Sequence, residues 1–153
     1  MPTLTKKGHA QFLDEHAKLV KGRASALRDM VQMRELGDLS ENAGYRAALS
    51  KLRRTDNRIR FLEKLLRTSR VVDPPKNTPQ YVTIGAYVQL HDSDKTFQYS
   101  VVDSIESDLL RGKISLRSPL GKALMGRKVG EVVRVRTPQG MRIITVDAIS
   151  YDY

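Results

Sequence analysis

Hydrophobic residues recur through the first half of the chain at alternating steps of three and four. Ala10, Leu13, Ala17, Val20, Ala24, Leu27 and Val31 form one row. Tyr45, Ala48, Leu52, Thr55, Ile59, Leu62 and Leu66 form a second, in which only Thr55 is polar. This is the a/d pattern of a coiled coil. It predicts two helices of about 30 residues, a rod roughly 45 Å long at 1.5 Å per residue, meeting along these two rows. The connecting segment LGDLSEN, residues 36–42, is short enough that the helices must be antiparallel neighbours. Gly37 suits the end of the first helix, and Asp38 or Ser40 suits the N-cap of the second. Alanines along the rows would let the helices approach closely.

The second half follows a different period. Segments 81–92, 96–106, 113–117, 131–137 and 141–151 are rich in β-branched and aromatic residues. Several alternate with period two, as do Val132, Val133 and Val135 around Arg134 and Arg136. Asp92-Ser93-Asp94 and Pro138-Gln139-Gly140 suit hairpin turns. One short helix interrupts the strands, with Ser118 as N-cap, Pro119 at its first position and Gly126 as its stop. Between the halves, residues 71–80 carry three prolines, which oppose continued helix. The pattern predicts an α+β chain. Residues 1–72 would be an antiparallel α-helical coiled-coil hairpin with an acidic tip and 73–80 a linker. Residues 81–153 would be a small, mainly antiparallel β-sheet domain with one short helix.

Charge separates the halves further. The 153 residues carry a formal net charge of +10. Residues 1–70 hold sixteen Lys and Arg against eight Asp and Glu, and residues 71–153 hold eleven against nine. A basic surface on the helical half points to a polyanionic partner, nucleic acid or a machine built around it. No apolar run approaches the roughly 18 residues of a membrane helix, and the N-terminus lacks a secretory core. The absence of Cys excludes disulfides and thiolate chemistry and suits a reducing cytoplasm.

Candidate chemistry is sparse. There is no Gly-rich phosphate loop, no HExxH and no G-x-S-x-G. His9 and His16 share a helix face but would lack a third metal ligand. The chain does not read as an autonomous enzyme. The hairpin tip is more informative, because Asp38 and Glu41 place two carboxylates three residues apart. They could form a capping box for the second helix. Alternatively they could project and hold a hard cation such as Mg²⁺. Two carboxylates are too few for a tight all-protein site, so the second option requires a metal site completed by a partner. Behind the tip, the second helix carries nine Lys and Arg between residues 46 and 70, against only Asp56 and Glu63. Lys51, Arg54 and Arg58 share one face and suit a row of phosphate contacts, with no interleaved aromatics for base stacking.

GDLSENAGYRAA (37–48), LTKKG (4–8) and ISLRSPLGKALMGRKVGEVVRVRTPQG (114–140) resemble the motifs of the bacterial Gre transcript-cleavage factors, of the GreA type. The resemblance covers nearly the whole chain. It implies a coiled coil that enters the secondary channel of bacterial RNA polymerase and an FKBP-like C-terminal domain that holds the β′ rim of that channel. It implies no enzymatic activity of the chain's own and no cofactor beyond Mg²⁺ shared with the polymerase active centre. Asp38 and Glu41 fall on the tip acids that help the polymerase hold this Mg²⁺ and a water to cut backtracked RNA. Lys51, Arg53, Arg54 and Arg58 fall on the basic patch facing the extruded nascent RNA, and Ser118 and Pro119 on the polymerase-holding surface. The protein would act as a cytoplasmic monomer. The alternative is a factor that occupies the channel and modulates or inhibits without stimulating cleavage. One departure is Gly44, which stands where the family commonly has Glu.

Overall fold

The first helix, α1, runs from Lys6 to Glu35, and α2 runs from Ala43 to Thr68. The computed structural model describes residues 1–36, 42–93 and 95–151. Short strands β1 (Thr3–Thr5) and β2 (Arg70–Val72) flank the helices. They are followed by β3 (Ala86–Asp92), β4 (Lys95–Val102), β5 (Lys113–Ser115), α3 (Pro119–Leu124), β6 (Val132–Thr137) and β7 (Gly140–Tyr151). The chain divides into two compact units. His9–Ser69 make up the helical one, and Met1–Gly8 with Arg70–Tyr153 make up the other. The α+β organisation is as the pattern predicted.

In the helical unit the two helices are antiparallel. Arg23 meets Asp56, His16 meets Glu63 and the Asn42 side chain donates to the Met33 carbonyl. On α2 the predicted row faces inward: Leu52 and Leu62 are buried and Tyr45, Ala48, Thr55, Ile59 and Leu66 half-buried. On α1 the prediction is off by one residue. All seven members of the predicted row, Ala10 to Val31, are exposed. The inward row is instead Phe12, His16, Leu19, Arg23, Ala26, Met30 and Met33, again at steps of four and three. A shift of one residue rotates the helix by about 100°. The inward row carries larger apolar side chains, and its polar members His16 and Arg23 find carboxylates on α2. The predicted cap also needs correction. Asn42 is the N-cap of α2, its Oδ1 accepting from the Tyr45 amide at 3.0 Å, so the capping-box reading of Asp38 and Glu41 does not hold for this helix.

The other unit is built on a five-stranded sheet in the order β5-β4-β3-β7-β6. All neighbours are antiparallel except β4 and β5, which are parallel. Period-two alternation holds as expected, with Ala86, Val88 and Leu90 of β3 and Val133 and Val135 of β6 turned into the core. The register against β7 slips between Gln89 and Leu90. This bulge bends the strand and curls the sheet over α3. Leu124 of α3 is fully buried in that core.

The sequence pattern did not foretell β1 and β2. They pair in parallel, Leu4 opposite Val71, beside a buried polar cluster. The Thr5 hydroxyl accepts from the Gly8 amide at 3.0 Å and so caps α1. Glu106, only 6% exposed and 101 residues away, accepts from the Thr5 amide at 3.0 Å and from its hydroxyl at 2.5 Å. Lys113 lies 3.8 Å from the same carboxylate. This contact requires glycine at position 8, because a Cβ there would lie 2.2 Å from the Glu106 carboxyl carbon. Alanine is a better helix former than glycine by about 1 kcal/mol. Gly8→Ala should nevertheless destabilise the protein by about 1–3 kcal/mol, because Glu106 must give up its bonds to Thr5. In a Glu106→Ala background the same substitution should be neutral or stabilising. A double-mutant cycle read by denaturant unfolding checks this, and equal costs in both backgrounds would exclude the clash.

Candidate functional site

Three surfaces carry the candidate residues. The first is the hairpin tip, and Asp38 and Glu41 lie outside the described residues. The structure does place what brackets them, Leu36 at the end of α1 and the Asn42 cap of α2. Asn42 ties the two sides together, accepting from Tyr45 and donating to the Met33 carbonyl at 2.8 Å. Two carboxylates fall short of the six or so oxygen ligands Mg²⁺ takes, so this donor set fits only a site completed elsewhere. No group of three or more His, Asp or Glu that could hold a metal occurs among the described residues.

The second surface is the exposed side of α2. Lys51, Arg53, Arg54 and Arg58 are all exposed. They differ in their surroundings, which the sequence did not reveal. Arg58 makes a two-pronged bond to Glu15 of α1, at 2.7 and 3.0 Å, and its guanidinium lies 5.1 Å above the Phe61 ring. The acid that matches it comes from the other helix, so counting charges along α2 alone overstated the basic excess. Arg23 of α1 holds Asp56 in the same way, at 2.6 and 3.3 Å. That guanidinium, with a lesser contribution from Arg60, holds the Asp56 carboxyl below the usual carboxylate range.

The third surface lies on the sheet unit. Ser118 caps α3, its hydroxyl accepting from the Gly121 amide at 3.1 Å and donating to the Ser115 carbonyl at 2.6 Å. Pro119 is exposed beside it. Together they edge a groove of about 220 Å³ whose other walls are mostly apolar: Tyr99, Leu109, Ile114, Leu120, Val135 and Pro138. Leu109 is 77% exposed and the adjacent Leu110 wholly so, an arrangement suited to receiving an apolar side chain from a partner. Gly121 brings α3 against β5, since a Cβ there would lie 2.0 Å from the Ser115 carbonyl oxygen. Sequence reasoning singled out Ser118 and Pro119 but missed the exposed leucine pair and Gly121. The LGKAL spacing marked the helix, not its close approach to a strand.

The sequence of the chain matches known proteins over nearly its whole length. The family model "Transcription elongation factor, N-terminal" matches residues 2–71, and "Transcription elongation factor, GreA/GreB, C-term" matches residues 76–151. The chain belongs to the GreA/GreB family of transcription elongation factors. It is 36% identical over 151 residues to transcription elongation factor GreA of Neorickettsia sennetsu, covering 97% of this chain and 95% of that one. It is 40% identical over 141 residues to GreA of Chlorobium phaeovibrioides, covering 90% and 89%. Among solved structures it is similar to the GreA factor homolog 1 protein of Thermus thermophilus, at 29% identity and a TM-score of 0.45, covering 97% and 98%. No helix among the described residues is long and apolar enough to cross a membrane.

The Arg23–Asp56 pair has a pH signature. Asp56 is more acidic folded than unfolded, so the pair's contribution is fully present above the ordinary aspartate pKa of about 3.9. It is lost as pH falls through the lowered folded value. Arg23→Met should therefore lower the thermal midpoint at neutral pH, and the difference from wild type should vanish in strong acid. A difference independent of pH would mean that Arg23 acts through packing of its aliphatic stem.

Proposed function

We propose that this chain enters the secondary channel of bacterial RNA polymerase and stimulates the polymerase's own endonucleolytic cleavage of the nascent RNA 3′ end. It thereby rescues backtracked or arrested elongation complexes. The observation that carries this reading is the pair Asp38 and Glu41 at the tip motif of a GreA/GreB family member whose second helix takes its cap from Asn42. The tip acids need not serve as that cap. They would complete the coordination of a Mg²⁺ held mainly by the polymerase and orient the attacking water. The chain supplies no active site of its own and no resident cofactor. Docking falls to the sheet unit, where the groove beside Ser118 and Pro119 would receive an apolar element of the β′ rim.

Lys51 and Arg54 would contact phosphates of the extruded nascent RNA, whereas Arg53, seven residues from both Arg46 and Arg60, lies on another face of α2. Arg58 would act less as a phosphate ligand than as a partner of Glu15, because its donors are already directed to that carboxylate.

Asp38→Ala with Glu41→Ala should reduce cleavage on a backtracked elongation complex by on the order of 100-fold, the scale for removing preorganised electrostatic groups. Polymerase binding should persist. Wild-type cleavage by this variant would remove the metal role. Binding without cleavage by the unmutated protein would identify it instead as a channel-occupying modulator. On long extrusions, Lys51→Glu with Arg54→Glu should cost more cleavage than Arg58→Glu, and the loss should shrink as salt rises. The reverse order would place the RNA contact at Arg58.

A further inference from the structure

The row of α1 that the hairpin leaves outside is more uniformly apolar than the row it uses. Leu13, Val20, Leu27 and Val31 are 47%, 48%, 38% and 44% exposed, and Ala10, Ala17 and Ala24 between them are exposed too. A single surface leucine needs no explanation. A row kept at steps of three and four over six turns is different, because that spacing is what an opposing helix fills with its own side chains.

The surroundings of the row define what can lie on it. Helical geometry places His16 and Arg23 between the Leu13–Val20–Leu27 line and α2, where they bond Glu63 and Asp56. The row therefore opens onto the Asp56–Glu63 edge of α2. Past that edge run Arg46, Arg53, Arg60 and Arg67, all exposed and spaced by seven. Arg60 is close enough to act on the Asp56 carboxyl. On the opposite border of the row Lys21 and Arg28 alternate with the acids Asp14 and Glu35, so that border is mixed. A helix lying here meets apolar residues along its centre and a line of cations along the border that faces α2. A second copy of the chain is a poor match, because it brings the same basic border and the same excess of eight positive charges in residues 1–70. A nucleic acid would leave the apolar row uncovered, since the row carries no aromatic on which bases could stack.

We propose that this face of α1 is a docking site for an amphipathic helix of a protein partner, apolar at a/d spacing and acidic on the flank that faces α2. This does not rest on the roles assigned to Asp38 and Glu41. The test uses the full chain and a fluorescent synthetic helix of about three heptads with Leu at a and d and Glu on the flanks, followed by anisotropy. A second peptide carries Lys in place of Glu. The Glu-flanked peptide should bind saturably and the Lys-flanked one should not. Leu13→Gln with Val20→Gln and Leu27→Gln should weaken binding at least roughly tenfold, as expected for apolar side chains losing their cover. Arg53→Glu with Arg60→Glu should weaken it comparably. Helix content by circular dichroism should be unchanged, since all five side chains are exposed. Val20→Gln alone, with a smaller loss, serves if the triple variant is poorly folded. Absent binding, or binding that the Gln substitutions leave intact, would overturn the proposal. So would equal binding of both peptides. Concentration-dependent dimers in sedimentation, abolished by the triple substitution, would give the site to a second copy and also overturn it.

Discussion

Opposite charges facing each other between α1 and α2 decide how α1 is rotated, and much of the molecule's surface follows from that rotation. Turning Glu15, His16 and Arg23 toward another helix would cost several kcal/mol if their partners were apolar. Here Arg58, Glu63 and Asp56 stand opposite, so the polar groups are matched while Phe12, Leu19, Ala26 and the two methionines gain cover. The pairs are partly exposed and individually modest. Their effect is selective: they make the mixed row on α1 the better inward face and leave the purely apolar row outside.

That choice redistributes the positive charge on α2. Arg58 is matched by Glu15 across the seam, and Lys51 and Arg54 stand exposed on the same side of α2. The basic character of the helical half is therefore not one uniform field. The outer arginine line, Arg46 to Arg67, faces a different side from the Lys51–Arg54 line. A polyanion and a protein could thus be met by different sides of one hairpin.

The sheet unit is organised around close approaches that only glycine admits. Glu106 holds the β1–α1 corner, and the absence of a side chain at Gly8 is what admits it. Gly121 plays a similar part where α3 meets β5, which seats Ser118 and Pro119 at the edge of the apolar groove. A docking surface held in this way is preorganised, so less ordering cost falls on binding.

Periodicity in the sequence determined the elements. Two long helices, the inward row of α2, the alternating strands and the Ser118-Pro119 start of α3 were all legible, because each depends on residues within a few positions of one another. The exposed Lys and Arg of α2 were legible for the same reason. The rotation of α1 was not, since two adjacent rows at the same spacing compete and the winner depends on charges supplied by α2. Nor was the Glu106 cluster, whose partners are 101 residues apart. The cap of α2 was missed because Asp38, Ser40 and Asn42 are all good capping residues, and only the point where the chain turns into helix selects Asn42. Local pattern fixes which segments are helix or strand. Which face turns inward, and which charges are matched, is decided by what the tertiary structure brings opposite.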